Sequence, residues 1–467
     1  MNEHIHEALN EISDKHIAEA APKKKNSKKI FLRIVAAAAM LAVIIGIFQL
    51  PRPVMAKAVS TAGDCRISEP PQWQHYDNVN DWRLDHEAWE AEQTARAETK
   101  SAALSGLQTF FTDANSRFLS GQGNSVWSPV NAYIGLAMVA ELTEGNSRQQ
   151  ILDLLGTANT ADLRSRVSVI WESSYKDSKN SNETSRLANS LWLQKGLDYR
   201  QETMDALSYH YYADVYQTNL KNAGGAISAW LNNHTGGFLK NATSNIRPPE
   251  GAVLALYSTI FFQAKWSDQF NAANNTKDPF HAPGGDKIVT YMNKKLATMN
   301  YYYGDCFSAV RMGLKNGSSM WFILPDEGYT PADVLADGQY MDMLLDNDWE
   351  NFKYMKVNLS VPKFDVSGQQ DLAKGLKEMG VTDVFDLNTS NFSAITSDTP
   401  IFLTAANQAV RVQIDEEGVK AAAYIEFPGA TSPAPPEEII DFILDRPFLF
   451  VISKDNIPLF AGVVNEP

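Results

Sequence analysis

The residues that most often carry out catalysis are scattered along this chain, and no catalytic motif joins them. None of the eight histidines stands in HExxH or in another metal-ligand spacing. The sequence also lacks the nucleophile motif GxSxG, a P-loop and a convincing GxGxxG fingerprint. Cys65 and Cys306 are widely separated in sequence, so they indicate neither a disulfide framework nor a thiolate metal site. We therefore expect a protein that is not an enzyme and that needs no metal or cofactor.

One stretch near the C-terminus has a pattern that an ordinary folded segment does not explain. "EEGVKAAAYIEFPGATSPAPPEEI", Glu416 to Ile439, begins like a β-strand and then becomes rich in Gly, Ser, Thr and Pro. Alternate residues of a strand face opposite sides. From Val419 the two sides read Val419, Ala421, Ala423, Ile425 and Lys420, Ala422, Tyr424, Glu426. The first side is apolar and the second is charged, which predicts a half-buried strand leading into an exposed segment.

Composition and charge limit the class of protein. The chain has 467 residues, of which 44% are hydrophobic, so it can form a large core. Its net charge of −14 argues against a nucleic-acid partner, because phosphate binding depends on clustered Lys and Arg.

The N-terminal region predicts export. "IFLRIVAAAAMLAVIIGIFQL", residues 30–50, is as long as a membrane span, and its single charge, Arg33, lies near one end. The basic segment Pro22 to Lys29 places residues 1–29 in the cytoplasm and the rest outside. The alternative is a signal peptide cleaved near Ala58, which would give a secreted protein. Export, few cysteines and an acidic chain together favour a bacterial cell-surface protein.

The rest of the chain divides into a spacer and one globular domain. Residues 51–99 are polar and predict an extracellular spacer, helical from Trp82 to Lys100; the alternative is an extra helix packed on the main body. Residues 100–467 show no further linker. Their first third is dominated by helical patterns and the remainder by strand patterns, which is typical of an α+β fold. Leu104 to Leu119 has helical spacing of apolar residues.

Two helix starts can be placed from sequence. Ser128 followed by Pro129 is typical of an N-cap and a first helical position. "SRQQ", Ser147 to Gln150, predicts a capping box that opens the next helix.

Six blocks, in order, resemble the serpin family of serine protease inhibitors. The resemblance covers roughly residues 100–467 and implies a serpin fold, with a large central β-sheet, about eight or nine helices and an exposed reactive-centre loop on a monomer. The blocks are "NSVWSPVNAYIGLAMVAELTEGNSRQQI", "ANSLWLQ", "ISAWLNNHTGGFL", "LALYSTIFFQAKWSDQF", "VPKFDVSGQQDLAKGLKEMGVTDVF" and "DRPFLFVISKDNIPLFAGVVNEP".

The resemblance places the Glu416–Ile439 stretch at the hinge and reactive-centre loop. It implies that a protease cleaves the loop as a substrate, and that the cleaved loop then inserts into the central sheet while the protease is still attached as an acyl-enzyme. The expected function is suicide-substrate inhibition of extracellular serine proteases. Two alternatives are a non-inhibitory surface binding protein on a serpin scaffold and a cell-surface module with a sacrificial loop.

The hinge departs from the usual pattern of the family. Serpin hinges usually carry Thr and Glu where this chain has Val419 and Lys420, but Val suits a strand and Lys420 falls on the solvent side. Ile425 is bulky for its place, which predicts slower insertion and some simple cleavage. The hinge residues that the resemblance implies are Gly418, Val419, Lys420, Ala421, Ala422 and Ala423.

The scissile bond is predicted to follow a small residue. The usual count from Gly418 makes Ser432 the P1 residue, but Pro433 follows it, and most serine proteases cleave poorly before proline. The bond Thr431–Ser432 is therefore the first choice and Ala430–Thr431 the second.

Small P1 residues suit a shallow apolar S1 pocket. No Lys or Arg occurs between Lys420 and Arg446, which argues against trypsin-like targets. The predicted partners are elastase-like, proteinase-3-like or subtilisin-like proteases.

Two further family regions can be placed. Trp266 corresponds to the tryptophan of the breach, where loop insertion begins. A neutral amide replaces the usual histidine of the polar network beneath the sheet, called the shutter, which removes one source of pH dependence. The shutter positions are Ser128, Asn131, Ser258 and Gln408, with Asn407 beside it.

Overall fold

Two β-sheets and nine α-helices make up the described part of the chain in this computed structural model. The described residues are 57–60, 71–72, 75–119, 123–176, 183–239, 246–345, 349–419 and 437–467. The helices are α1 Val79–Phe118, α2 Pro129–Leu142, α3 Gly145–Leu154, α4 Thr160–Ser174, α5 Gln201–His210, α6 Gly224–His234, α7 Pro331–Asp337, α8 Gln339–Leu345 and α9 Ala373–Glu378.

The first sheet has seven strands and contains the hinge. Its spatial order is β1-β4-β3-β5-β13-β12-β11, in which β3 and β4 run parallel and the other neighbours are antiparallel. The strands are β1 Lys57–Ser60, β3 Thr184–Gln194, β4 Ala213–Thr218, β5 Leu254–Lys265, β11 Phe364–Asp371, β12 Asn407–Ile414 and β13 Gly418–Val419.

The second sheet has nine strands. Eight follow the order β14-β10-β7-β8-β9-β15-β16-β2, and β6 pairs with β7. The strands are β2 Ser125–Trp127, β6 Thr276–Ala282, β7 Gly285–Tyr303, β8 Phe307–Gly313, β9 Ser319–Pro325, β10 Phe352–Pro362, β14 Ile439–Ile443, β15 Phe448–Lys454 and β16 Ile457–Val464.

Helix α2 lies in the core, in contact with both sheets through β5 and β16. Almost all of its residues are buried, as expected for a sequence that is apolar on every side. It begins as predicted, with Ser128 at the N-cap and Pro129 in the first turn. The Ser128 side chain does not cap the helix, because its hydroxyl is used elsewhere.

The predicted capping box at Ser147 is wrong. The next helix, α3, already begins at Gly145, and its N-cap, Glu144, makes no side-chain capping bond. The Ser147 hydroxyl instead accepts a hydrogen bond from the Asn391 backbone at 3.0 Å. The hydroxyl that the predicted capping box would use is therefore bonded to Asn391, a residue distant in sequence.

The segment before residue 100 adds one strand and extends one helix. The helical prediction for Trp82 to Lys100 and for Leu104 to Leu119 is confirmed, but both lie in the single 40-residue helix α1. Asn78 caps it by accepting from the backbone of Asn80 and Asp81. Strand β1 pairs antiparallel with β4. The boundary of the spacer at residue 99 stays a prediction.

The apolar segment of residues 30–50 lies outside the described residues. Among the helices that are described, none is both long enough and apolar enough to cross a bilayer.

Candidate functional site

The start of the predicted hinge is already a strand of the first sheet. Gly418 and Val419 lie between β5 and β12, with Val419 opposite both Ala264 and Ile414. Glycine is required at 418 because the backbones approach closely: a Cβ there would lie 2.4 Å from the Ala264 carbonyl oxygen. In the described residues, only this two-residue strand joins β5 to β12.

Trp266 holds the turn that precedes the hinge. Its side chain is fully buried, and its Nε1 donates to the Asp415 carbonyl at 2.9 Å. Its backbone N–H donates to the Glu417 carbonyl at 3.1 Å. The structure thus brings together Trp266 and Gly418, two of the residues that sequence reasoning singled out.

An ion pair fixes the same turn from the other side. Lys363 Nζ lies 2.5 Å from Glu416 Oε1, and Asn275 Nδ2 also donates to that carboxylate. Partial burial would raise the pKa of Glu416, but these two hydrogen bonds outweigh it and hold the pKa below its ordinary value. Sequence reasoning missed Glu416, Lys363 and Asn275. The only local signal was the Glu pair directly before Gly418.

Ser128 and Gln408 form the first polar pair beneath the sheet. Ser128 N donates to Gln408 Oε1 at 2.8 Å, and Gln408 Nε2 donates to Ser128 O at 3.0 Å. The Ser128 hydroxyl donates to the Leu459 carbonyl at 2.6 Å. Asn407 is exposed on the opposite face of β12, so the residue of β12 that bonds Ser128 is Gln408 and not Asn407.

Ser258 and Asn131 belong to a second polar cluster. The Ser258 hydroxyl contacts Asn131 Oδ1, and it lies 2.6 Å from Asn189 Oδ1. Asn189 Nδ2 donates to the Tyr211 carbonyl at 2.8 Å, which links the cluster to the end of α5. Both clusters are built from uncharged groups, and sequence reasoning missed the contribution of Asn189.

Comparison with known proteins identifies this arrangement. A family model described as "Serpin (serine protease inhibitor)" matches residues 107–467. The chain belongs to the serpin family. The predicted serpin fold is therefore confirmed, and β5, β13 and β12 are neighbouring strands of its seven-stranded sheet.

Relatives and solved structures agree with this assignment. An alpha-1-antitrypsin-like protein of Tamias sibiricus is 27% identical over 365 residues, which cover 75% of this chain and 86% of the relative. The thermophilic serpin tengpin in its native state superposes with a TM-score of 0.70 at 21% identity, covering 89% of this chain and 100% of tengpin. Thyroxine-binding globulin in complex with thyroxine has a TM-score of 0.65 at 21% identity, with coverages of 77% and 99%. These two structures show likeness of fold.

A small cavity lies beneath the hinge of this serpin. Val419 lines it together with Phe262 of β5 and Val412 of β12. All three side chains are buried and apolar, and Arg411 and Gln413 also line the space. A small apolar side chain can enter this space at low cost, whereas a charged one would have to be desolvated.

The remaining predicted site residues cannot be placed. The hinge residues Lys420, Ala421, Ala422 and Ala423 and the candidate bonds at Ala430, Thr431 and Ser432 lie outside the described residues. Their roles stay predictions.

Proposed function

We propose that this serpin is a suicide-substrate inhibitor of extracellular serine proteases. The observation that carries the proposal is the position of Gly418 and Val419 between β5 and β12. These two residues are the start of a strand, and the residues that follow Val419 can lengthen that strand after the loop is cleaved.

The register of β13 determines which side chains would enter the core on insertion. Val419 lies opposite Ala264 on one side and Ile414 on the other. Continued antiparallel pairing brings Ala421 between Phe262 and Val412, at the cavity beneath the hinge. The small alanine suits this place.

Further along, the same register brings Ala423 between Ile260 and Val410, both of which are buried. The next inward residue, Ile425, comes between Ser258 and Gln408. A bulky apolar side chain there covers hydroxyl and amide groups that are already hydrogen-bonded. We infer that Ile425 slows the last part of insertion, so that some loops are cleaved without trapping the protease.

The target proteases that we propose are elastase-like, proteinase-3-like or subtilisin-like. The support is the sequence of the loop, in which small residues surround the candidate bonds and no Lys or Arg occurs between Lys420 and Arg446. The preferred bond is Thr431–Ser432, followed by Ala430–Thr431.

The test is to mix the full-length protein with an elastase, proteinase 3, a subtilisin and, as a control, trypsin. We expect a covalent complex on a denaturing gel with at least one of the first three and none with trypsin. Mass spectrometry of the released C-terminal peptide should show Ser432 at its start; Thr431 would select the second choice. Complete loop cleavage that leaves all proteases active would contradict inhibition.

The second candidate function is non-inhibitory binding on a serpin scaffold. It is favoured by the likeness of fold to thyroxine-binding globulin and by Val419 and Lys420 at hinge positions where serpins usually carry Thr and Glu. In that case loop cleavage would produce neither a covalent complex nor a rise in melting temperature.

We also propose that residues 30–50 anchor the protein in a bacterial cell membrane with the serpin domain outside. The support is the apolar length of the segment and the basic residues before it. Cell fractionation should recover the full-length protein in the membrane, with the serpin domain open to added protease. A soluble mature protein starting near Val59 would contradict the anchor.

A further inference from the structure

The chain enters the seven-stranded sheet at the end opposite to the hinge. One row of paired residues, here called the foot of the sheet, crosses its first four strands: Lys57 of β1, Gln217 of β4, Leu193 of β3 and Leu254 of β5. Leu254 is the first residue of β5, and Gly418 of the hinge is opposite Lys265, the last one. The length of β5 therefore separates the foot from the hinge by about 37 Å.

A short stretch of chain joins the foot to the apolar segment of residues 30–50. Only residues 51–56 lie between Leu50 and Lys57. Even when fully extended, this stretch spans at most about 24 Å. With residues 30–50 in the membrane, as proposed above, the foot lies within that distance of the bilayer, and the hinge lies at the other end of the sheet.

The pairing of β1 favours a connection that stays intact. Lys57 and Ala58 are opposite Gln217 and Tyr216, and Val59 packs against the main core. Signal cleavage near Ala58 would remove half of this strand of 4 residues. The residues that follow the apolar segment are thus part of the sheet that would accept the loop.

We propose that the foot of the sheet faces the phospholipid bilayer, so that insertion of the cleaved loop carries the acylated protease to the membrane. The inference rests on the proposed anchor and the proposed inhibition. It adds to them an orientation of the sheet and a lipid surface as a contact of the trapped enzyme.

The register of the inserted strand determines where the protease arrives. Val419 is opposite Ala264, and continued antiparallel pairing brings Thr431 opposite Ala252. Thr431 is the residue that carries the acyl bond if the preferred bond is cleaved. Ala252 precedes the first residue of β5, so the acyl bond arrives just beyond the foot. The inserted strand is four strand spacings from β1, which is about 19 Å.

The gap between the foot and the bilayer is narrower than a protease. A protease domain of about 230 residues has a radius of gyration of about 17 Å, and hence a diameter of about 40 Å. The chain before Lys57 allows a gap of at most about 24 Å. The trapped enzyme therefore comes into contact with the lipid headgroups.

The first experiment measures the orientation of the intact full-length protein in vesicles of phosphatidylcholine and phosphatidylglycerol. A fluorescent donor is attached at Lys195→Cys, directly after β3 at the foot, or at Ser267→Cys, directly after β5 near the hinge. Both residues are exposed. The background is Cys65→Ser, and Cys306 is buried. The energy acceptor is attached to lipid headgroups.

We expect energy transfer from the foot label to be at least about threefold more efficient, because about 37 Å of sheet separates the two ends. Equal melting temperatures confirm that both labelled proteins are folded. Equal transfer, or stronger transfer from the label near the hinge, would overturn the orientation. Protein that does not stay with the vesicles would overturn the anchor and this inference with it.

The second experiment follows a donor-labelled subtilisin or elastase during complex formation on the same vesicles. The test variant carries a flexible Gly/Ser linker of about 20 residues between Pro53 and Val54, which adds about 25 Å of reach. The control is Ala421→Glu, in which a charge on the inward side of the strand prevents insertion.

Covalent complex formation should raise the transfer from protease to lipid about threefold for the wild type, and by less than half as much for the linker variant. Ala421→Glu should show loop cleavage with no rise. A complex that forms without any rise, or an equal rise in the linker variant, would overturn delivery to the membrane.

The outcome is separable from that of the proposed function. If no protease forms a covalent complex, inhibition fails, but the two labels on the intact protein still decide whether the foot faces the bilayer. If the complex forms and both labels give equal transfer, inhibition stands and this inference fails.

Discussion

The side-chain amide of Gln408 and the backbone of Ser128 satisfy each other in a closed pair, with both hydrogen bonds at 3.0 Å or less. The pair joins strand β12 to the first turn of α2, and both residues are buried. It therefore connects a strand that borders the hinge to the helix beneath the sheet.

Removing the amide should destabilise the native protein. Gln408→Ala leaves a buried N–H and a buried carbonyl of Ser128 without these partners, at a cost of ~2–3 kcal/mol. We expect a lower midpoint of urea unfolding. Asn407→Ala, on the exposed face of the same strand, is the control and should change stability by less than ~0.5 kcal/mol. Equal effects of the two substitutions would contradict the role of the pair.

The Glu416–Lys363 contact should make the stability depend on acid pH. The folded pKa of Glu416 is lower than its unfolded value, because the ionised form is stabilised in the native state. Its contribution is therefore complete above the ordinary value of 4.5 and is lost as the pH falls through the folded pKa. Thermal melting between pH 6 and 3, as a rough range, should show a smaller loss for Glu416→Gln than for the wild type. The control is Glu417→Gln, whose exposed carboxylate lies 3.8 Å from Lys265; it should follow the wild-type curve.

The register of the inserted strand predicts opposite results for neighbouring alanines. Ala421→Glu would place a carboxylate between the buried side chains of Phe262 and Val412, so it should abolish covalent trapping while the loop is still cleaved. Ala422→Glu introduces the same charge on the solvent side and should retain trapping. The measurement is the ratio of complex to cleaved serpin on a denaturing gel. Trapping by the first variant, or its loss in the second, would show that the register is wrong.

Ile425 should limit the efficiency of inhibition. Ile425→Ala removes the bulky side chain that the register brings between Ser258 and Gln408. The moles of serpin consumed per mole of protease should then fall toward one, because insertion competes better with deacylation. Tyr424→Ala is the control on the solvent side. An unchanged or higher stoichiometry for Ile425→Ala would mean that another residue slows insertion.

Loop cleavage should raise thermal stability if the strand inserts. Val419 is already buried, and insertion would add the apolar side chains of Ala421, Ala423 and Ile425 at ~25 cal/mol per Å², so a rise in melting temperature of about 10 °C or more is expected. Calorimetry of intact and cleaved protein measures it. Ala421→Glu should show no such rise, which separates insertion from a general effect of cleavage.

Local patterns predicted the parts of the site that local chemistry determines. The N-cap position of Ser128 and the strand character of Val419 depend on neighbouring residues, and both are present. The partners of Glu416 could not be predicted, because Lys363 and Asn275 are distant in sequence and meet only through the fold. The failed capping box at Ser147 has the same cause, since its hydroxyl is used by Asn391.

Strand β1 has a consequence for behaviour at high concentration. Its ladder with β4 runs from Lys57 opposite Gln217 to Ser60 opposite Val215. The backbone of β4 on that margin is therefore bonded within the same molecule, and β1 takes its place as the end strand of the sheet. The edge on this side is a strand of 4 residues, which offers a second copy less backbone to pair with than the 6 residues of β4 would.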